Sequence, residues 1–258
     1  PLMTKTPHPR AIEAATKYFL IQAAASATIL FSSTINAWLT GEWAINNLSH
    51  PAANITLTLA LAMKLGLAPS HFWLPEVLQG LTLQTGLILS TWQKLAPMAL
   101  LIQLADTTNL ILLMTIGITS TLLGGWGGIN QTQLRKIMAF SSIAHIGWMV
   151  TVLKFAPNIS LLNLLIYLLM TTAMFTTMIS LTTKKISDLA TAWPKTPSLT
   201  ALSMLTLLSL GGLPPLSGFM PKWLIAQELI KQNLTAFATM ILLSTLLSLF
   251  FYLRLAYI

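Results

Sequence analysis

Three lysines lie within or beside apolar stretches of the chain, where an ammonium group is costly. Lys64 precedes an interruption rich in glycine and proline, Lys94 lies near the middle of LSTWQKLAPMAL, and Lys222 follows a second interruption. A lysine at the centre of a membrane helix costs about 2.5–3.5 kcal/mol on insertion scales, so such residues usually face a cavity or a partner. The alternative is that these side chains extend to the membrane surface.

A buried lysine is suited to proton transfer. Burial favours the neutral amine and a nearby carboxylate favours the ammonium, so a lysine with a movable partner can bind and release a proton. We therefore predict that Lys64, Lys94 and Lys222 are proton-transfer residues. His71 and His145 are further candidate relays, because histidine titrates near neutral pH. Each histidine could equally be a satisfied packing group.

The sequence lacks the patterns of other common sites. It has no cysteine, which excludes a disulfide framework and any thiolate metal or iron–sulfur site in these residues. It has no phosphate loop, nucleotide fingerprint, paired metal ligands or nucleophile–base motif. We therefore predict that the chain has no redox-catalytic residue and binds no cofactor or metal.

Two apolar segments share one pattern of glycine and proline. Both read G-x-x-P-x-x-x-x-x-P followed by a charge. The predicted helix breaks are Gly66, Pro69 and Pro75 in the first segment, and Gly212, Pro215 and Pro221 in the second. Proline has no backbone N–H to donate, and glycine lets the backbone leave the helical conformation. The N–H and C=O groups that lose their helical hydrogen bonds must be buried in protein or face water. The alternative is a simple proline kink in each of two long helices.

Composition places these segments in a membrane protein. The 258 residues are 55% hydrophobic and 8% charged, whereas a soluble domain has about 25% charged residues. A bilayer is crossed by about 20 apolar residues, and about eight segments reach that length. The segments are 12–38, 52–80, 83–105, 108–128, 133–154, 159–183, 198–231 and 234–257. We predict an all-α, polytopic membrane protein in which 52–80 and 198–231 are broken and the other segments are plain helices.

The broken segments divide one transmembrane domain, residues 1–258, into two related parts. The first part covers roughly 12–128 and the second roughly 133–257. The broken helices are the second and the seventh segments, an offset of five with four segments between them, and an odd offset reverses the direction of travel. The parts are therefore predicted to be inverted repeats, an arrangement typical of transporters.

The loop charges predict an orientation. If the segments alternate across the membrane, the face that holds the N-terminus, side A, receives most of the cations. These cations are Lys5, Arg10, Arg135, Lys136, Lys184, Lys185, Lys195 and Arg254. The opposite face, side B, receives Lys154, Lys231, Glu42 and Asp106. The positive-inside rule makes side A the cytoplasm-equivalent face, unless the distribution arose by chance. Net charge is +8, but the basic residues are dispersed, so no nucleic-acid partner is predicted.

Four stretches resemble one protein family. They are ALAMKLGLAPSHFWLPEVLQG, LSTWQKLAPM, GGWGGINQTQLRKIMAFSSIAHIGWM and LSLGGLPPLSGFMPKW. They are similar to the proton-translocating, antiporter-like membrane subunits of NADH:ubiquinone oxidoreductase, respiratory complex I, in vertebrate mitochondrial form. The resemblance covers essentially the whole chain. It implies inverted five-helix repeats, each with one broken helix, in agreement with the repeat inferred from the residues.

The resemblance also implies roles for individual residues. The family's central lysines match Lys64 on the first broken helix, Lys94 on the following helix and Lys222 on the second broken helix. The histidines that stand at polar-axis positions are His71 and His145. In the family, the lysine at the position of Lys64 pairs with a glutamate on an earlier helix, which this sequence does not contain. We therefore expect the sequence to be incomplete at both ends, and we do not expect Glu13 to replace that glutamate.

For the whole protein, the resemblance implies proton translocation across the mitochondrial inner membrane, with side A facing the matrix. NADH, flavin, iron–sulfur clusters and ubiquinone would be handled by other subunits. The implied partners are neighbouring antiporter-like and small membrane-arm subunits, supernumerary subunits and inner-membrane lipids. Two alternatives stay open: a subunit of a multi-subunit cation/proton antiporter, and a purely structural membrane subunit whose lysines serve assembly.

Overall fold

The chain folds as a bundle of α-helices. The computed structural model describes residues 3–4, 8–45 and 48–257; Lys5, used in the charge argument, lies outside these ranges. The helices in the described ranges are α1 Pro9–Thr40, α2 Pro51–Leu65, α3 Trp73–Gly80, α4 Leu83–Ser90, α5 Trp92–Gln103, α6 Leu110–Ile129, α7 Leu134–Val152, α8 Pro157–Ser180, α9 Ile186–Ala190, α10 Pro197–Gly211, α11 Phe219–Lys231 and α12 Thr235–Tyr257.

These helices confirm the predicted all-α fold and follow the eight predicted segments. Helices α1, α6, α7, α8 and α12 each correspond to one segment, with ends that differ by a few residues. Helices α2 and α3 form the first broken segment, and α10 and α11 form the second. Among the described residues, α1, α6, α8 and α12 are long and apolar enough to cross a bilayer. The full count of eight crossings stays a prediction.

Helix α7 lies at the centre of the bundle. Sixteen of its nineteen residues are buried, and it packs against α6, α3 and α8. Glycines bring α6 and α7 together: a Cβ on Gly124 would lie 2.8 Å from the backbone nitrogen of Ala144, and one on Gly147 would lie 3.0 Å from the carbonyl oxygen of Gly117. Small residues permit such close approach between membrane helices. The central position of α7 is what buries His145.

The first half of each broken helix ends at a glycine with the same backbone conformation. Gly66 ends α2 with φ 76° and ψ 37°, and Gly212 ends α10 with φ 80° and ψ 38°. Glycine adopts these left-handed values without strain because it has no Cβ. In both breaks the following amide bonds the carbonyl five residues earlier, as in a Schellman motif. These bonds join Leu67 N to Ala62 O and Leu213 N to Leu208 O.

The prolines differ in where they lie relative to the breaks. Pro69 and Pro215 lie in the non-helical linkers, and the peptide bond before each is cis. Pro75 and Pro221, which we predicted as breaks, instead lie in the first turns of α3 and α11. The first turn of a helix tolerates proline because its N–H groups have no intrahelical partner. Each interruption therefore contains the glycine and the first proline of the pattern, but not the second proline.

A third interruption, absent from the sequence prediction, divides the segment 83–105. Helix α4 ends at Ser90 and α5 begins at Trp92. Thr91 between them has φ −114° and ψ −72°. The segment is therefore not the plain helix that we predicted, and its interruption lies just before Lys94.

Hydroxyl side chains and a proline accompany this third interruption. The Ser90 hydroxyl donates to the Gly86 carbonyl at 2.9 Å. The Thr91 hydroxyl donates to the Leu87 carbonyl at 2.7 Å. Such bonds to the preceding turn bend helices. Pro97 lies inside α5, where its ring crowds the turn before it.

Two basic residues assigned to side A cap helix ends. Arg254 donates to the carbonyl of Ile129, the last residue of α6, at 2.8 Å. Arg135 donates to the carbonyl of Leu81, which directly follows α3. Cations at helix C-termini satisfy exposed carbonyls and complement the helix dipole. These arginines therefore have structural roles of their own, and the orientation of the chain stays a prediction.

Two adjacent glycines offer a matched test of the second break. Gly212→Ala should destabilise the protein by about 1–3 kcal/mol, because alanine is strained in the left-handed region and its Cβ would lie 2.7 Å from the ammonium nitrogen of Lys222. Gly211→Ala should be close to neutral, because its Cβ would meet Tyr252 at 3.5 Å. The measurement is the thermal unfolding midpoint in detergent. Equal midpoints for the two variants would contradict this account of the break.

Candidate functional site

Lys94 is buried beside a tyrosine. It is 3% exposed, and its ammonium nitrogen donates to the Tyr167 hydroxyl at 3.3 Å. The same nitrogen is 5.3 Å from the centroid of the ring, so the ammonium meets the oxygen end of the tyrosine and not its face. Within the part of the chain that the structure describes, no carboxylate forms a salt bridge with Lys94. The charge of Lys94 is therefore met by a neutral hydroxyl group.

Lys222 is held at the second helix break. It is 9% exposed, and its ammonium nitrogen donates to the Gly211 carbonyl at 2.8 Å. Gly211 is the last residue of α10, so this ammonium caps a helix C-terminus inside the bundle. The negative end of the helix dipole favours a cation at that position.

His145 lies near both of these lysines. It is 5% exposed, and its imidazole faces the Leu210 carbonyl on α10. Both Lys94 and Lys222 act electrostatically on this imidazole. The ring centroids of His145 and Tyr167 are 5.5 Å apart. The structure therefore brings Lys94, Tyr167, His145 and Lys222 together, and we name these four residues the central row.

Lys64 lies at the edge of the central row. It is half-buried in the last turn of α2. Lys64 and Lys94 line one small cavity with about 10 Å³ of space for a water centre, which is room for about one water molecule. Among residues 3–4, 8–45 and 48–257, no carboxylate forms a salt bridge with Lys64. Lys64 is therefore separated from Lys94, a member of the central row, by a small cavity that both side chains line.

His71 does not lie in the central row. It is 4% exposed, and its Nδ1 atom has no hydrogen-bond partner among the described residues. It lines a separate cavity of about 530 Å³, together with Glu76, Gln131 and Lys136. The structure therefore places the two predicted histidines at different sites: His145 lies beside Tyr167 in the central row, and His71 faces a cavity beside α6 and α7.

Glu76 pairs with a lysine on the exposed helix α1. The Lys17 nitrogen lies 2.6 Å from a Glu76 oxygen on α3 and 2.6 Å from a Glu13 oxygen on its own helix. These three side chains join α1 to α3. Glu76 and Glu13 are therefore engaged with Lys17, and neither serves as a partner of Lys64.

Tyr167 is the candidate residue that the sequence reasoning missed. It is fully buried in α8, and its hydroxyl accepts from Lys94 and donates to the Ser90 carbonyl at 3.3 Å. One signal was available, because a buried tyrosine usually has a hydrogen-bond partner for its hydroxyl. Which partner it finds depends on the packing of α8 against α4, which the sequence does not reveal.

The chemistry of the central row is acid–base chemistry. Its four members are ionisable or hydroxyl groups, and each lies in hydrogen-bond, ring or electrostatic contact with a neighbour. In the described ranges no group of three or more histidine, cysteine, aspartate or glutamate side chains could hold a metal ion. Groups of this kind can bind and release protons, and the roles of Lys94, His145 and Lys222 in proton transfer stay a prediction.

The chain matches a family of membrane proteins over most of its length. The profile of the family described as NADH:quinone oxidoreductase/Mrp antiporter, TM, matches residues 2–248. A relative from Xenopus laevis, named NADH-ubiquinone oxidoreductase chain 2, is 69% identical over 258 residues. That alignment covers 100% of this chain and 75% of the relative. The family resemblance predicted from the four motifs is confirmed.

Solved structures of two larger complexes contain similar chains. A chain of respiratory complex I from Thermus thermophilus superposes with a TM-score of 0.90 and 30% identity, and the match covers 99% of this chain and 61% of that one. A chain of the Mrp complex from Dietzia sp. DQ12-45-1b superposes with a TM-score of 0.84 and 19% identity, over 96% of this chain and 50% of that one. At 19% identity the second likeness shows the fold alone. The predicted antiporter-like fold is confirmed.

The Lys17 cluster predicts an asymmetry between two substitutions. Glu76→Gln should loosen α1 on α3 only slightly, because the glutamine amide oxygen can still accept from Lys17 and the Glu13 carboxylate keeps its cation. Lys17→Met should loosen α1, because it leaves the two carboxylates facing each other without a cation. The measurement is the rate at which a protease cuts the connection between α1 and α2 in membrane vesicles. Faster cutting of the Glu76→Gln variant than of the Lys17→Met variant would contradict this reading.

Proposed function

The chain belongs to the NADH:quinone oxidoreductase/Mrp antiporter family, and we propose that it is a core membrane-arm subunit of mitochondrial NADH:ubiquinone oxidoreductase, complex I. In this role it translocates protons across the inner membrane, while NADH oxidation and ubiquinone reduction take place in other subunits. The 69% identity to the Xenopus laevis relative supports this role. The observation that carries it is the central row, in which two buried lysines both act electrostatically on one buried histidine.

The proposed mechanism gives each lysine a separate task. Lys64 exchanges charge with a carboxylate partner outside the described residues. Lys94 relays protons at mid-membrane, and Lys222 connects the row to the second half of the chain. A positive charge that approaches a buried ammonium favours release of its proton, and a negative charge favours retention. Because Lys64 and Lys94 line one cavity, a change of charge at Lys64 is felt at Lys94.

The remaining parts of the proposal concern organisation and partners. Residues 1–258 form one transmembrane domain whose two parts, roughly 12–128 and 133–257, are inverted repeats. The basic loops face the mitochondrial matrix. The partners are neighbouring antiporter-like and small membrane-arm subunits, supernumerary subunits and inner-membrane lipids. Flavin, iron–sulfur clusters, NADH and ubiquinone are bound by other subunits of the complex.

Substitution of Lys94 tests the proton role. In the assembled complex, Lys94→Met should slow proton transfer through this subunit by about 100-fold or more, the loss expected when a proton-transfer group is removed. The number of protons translocated per NADH oxidised should therefore fall. Lys195→Met is the control, because Lys195 is exposed in the connection between α9 and α10. The measurement compares vesicle acidification with NADH oxidation.

Two results of the Lys94 experiment would count against the proposal. A normal number of protons per NADH, in a complex that assembles normally, would show that Lys94 is not a relay. A smaller amount of complex with a normal ratio of protons to NADH would favour the alternative in which the lysines serve assembly alone.

Purification from native membranes separates the proposal from the antiporter alternative. A complex I subunit should migrate in native electrophoresis with subunits that carry flavin and iron–sulfur clusters. A subunit of a free-standing cation/proton antiporter should migrate in a smaller assembly without them. Absorbance and metal analysis of the excised band distinguish the two, and a band without flavin or iron would overturn the proposal.

A further inference from the structure

The Tyr167 hydroxyl connects Lys94 to a helix interruption. We propose that Tyr167 is a positioning residue for Lys94, and that its hydroxyl changes hydrogen-bond partner when Lys94 gains or loses its proton. This proposal rests on the proton-transfer role proposed above and deepens it. Tyr167 is fully buried, and its oxygen lies 3.3 Å from the Lys94 nitrogen and 3.3 Å from the Ser90 carbonyl oxygen.

The interruption at Thr91 is what makes the Ser90 carbonyl available. In an uninterrupted helix this carbonyl would accept the N–H of Lys94. Here the Lys94 N–H donates instead to the Thr91 carbonyl at 3.2 Å. A buried carbonyl needs a donor, and the Tyr167 hydroxyl supplies one to Ser90. The break just before Lys94 thus creates a second acceptor within reach of the tyrosine.

The phenol has one hydrogen, which can go to the Ser90 carbonyl or to the Lys94 nitrogen, and its oxygen is also hydrogen-bonded with the Ser142 side chain. A charged lysine has three donors and no acceptor, so Tyr167 can accept from Lys94 and give its own hydrogen to Ser90. A neutral amine has a lone pair and is a poorer donor, so the tyrosine hydrogen is then better placed on the Lys94 nitrogen. The Ser90 carbonyl loses its donor in that second arrangement. The tyrosine keeps its proton throughout, and only its hydrogen bond moves.

The change of hydrogen-bond partner at the Tyr167 hydroxyl determines how the Lys94 side chain is held. Lys94 lines the cavity that it shares with Lys64, and its nitrogen also contacts the Tyr167 hydroxyl. The Tyr167 ring in turn lies next to that of His145. The tyrosine lone pairs hold a charged Lys94 beside the tyrosine that contacts His145. After the proton has left, the neutral amine is held by the donor hydrogen of the tyrosine, in a different hydrogen-bond arrangement.

The test removes the hydroxyl and keeps the ring. In the assembled complex, Tyr167→Phe should slow proton transfer through the subunit by about tenfold, because a hydrogen bond to a charged group is lost. The number of protons per NADH should fall while the amount of complex stays normal. Tyr257→Phe is the matched control, because Tyr257 is 87% exposed at the end of α12, and it should change neither quantity.

A double variant separates this proposal from the proposed function. If Tyr167 acts through Lys94, the combined Lys94→Met and Tyr167→Phe variant should pump no worse than Lys94→Met alone. If Lys94→Met lowers the ratio of protons to NADH and Tyr167→Phe does not, the positioning role is wrong and the proton role stands. If Lys94→Met leaves the ratio unchanged, the proton role itself fails.

A spectroscopic measurement decides the matter even if Tyr167→Phe does not assemble. Infrared difference spectra of complex with 13C-labelled tyrosine should show a shift of a phenol C–O band when NADH is added. The shift should be absent in Lys94→Met. A tyrosine spectrum that does not respond to NADH, or the same response in Lys94→Met, would overturn the proposal.

Discussion

A helix that is interrupted in a membrane protein leaves backbone amides and carbonyls without partners in their own helix. Other parts of the protein must supply hydrogen bonds to these groups, and the rest of this structure depends on those bonds. At the second break the Gly212 backbone turns into the left-handed region, and the Lys222 ammonium donates to the Gly211 carbonyl. At the first break the amide of Ala68 donates to the Ser120 hydroxyl on α6 at 3.0 Å. Unsatisfied backbone groups cost several kcal/mol each in hydrocarbon. The breaks are therefore stable because the second half-helix, at one break, and a neighbouring helix, at the other, supply these partners.

This constraint explains why lysines lie where they do. The C-terminal end of a half-helix carries a partial negative charge, and Lys64 and Lys222 both lie at such ends. The cation that stabilises the break is thus the group proposed to carry a proton. Release of the proton weakens its interaction with the helix end, so the charge of the lysine and the packing of the break are coupled. Substitutions at these positions affect both, which is why the ratio of protons to NADH, and not activity alone, identifies the role.

The sequence revealed the features that depend on local chemistry. Glycine at Gly66 and Gly212 predicted the breaks, because the preference for left-handed backbone belongs to the residue itself. Proline was less informative: in a linker it accompanies a break, whereas in a first helical turn it fits the helix, so Pro75 and Pro221 were assigned to the breaks in error. At Thr91 a hydroxyl bond reaches the preceding turn, but unbroken helices contain the same kind of bond, so it did not mark the interruption in the sequence.

Features that depend on tertiary packing could not be predicted from the sequence. The Lys17–Glu76 pair joins residues 59 positions apart, and nothing local marks it. The contact of Tyr167 with Lys94 depends on where α8 meets the interrupted helix. The separation of His71 from His145 has the same origin, since one lies in a linker and the other in the central helix α7. The sequence identified candidate residues, because they are polar and lie within apolar segments. Which of these residues lie close together could be seen only in the folded structure.

The central row also limits how many protons it can hold at once. Lys94 and Lys222 both act on His145, and like charges in an interior of low dielectric repel each other strongly. A charge on one member therefore makes a charge on the next member less favourable, so the row favours fewer charges than it has ionisable groups. Strongly interacting groups release their protons in successive steps that belong to the set and not to one residue. In the proposed mechanism the row passes a proton on when a new charge arrives at its end, and Lys64, which shares a small cavity with Lys94, is the residue at that end.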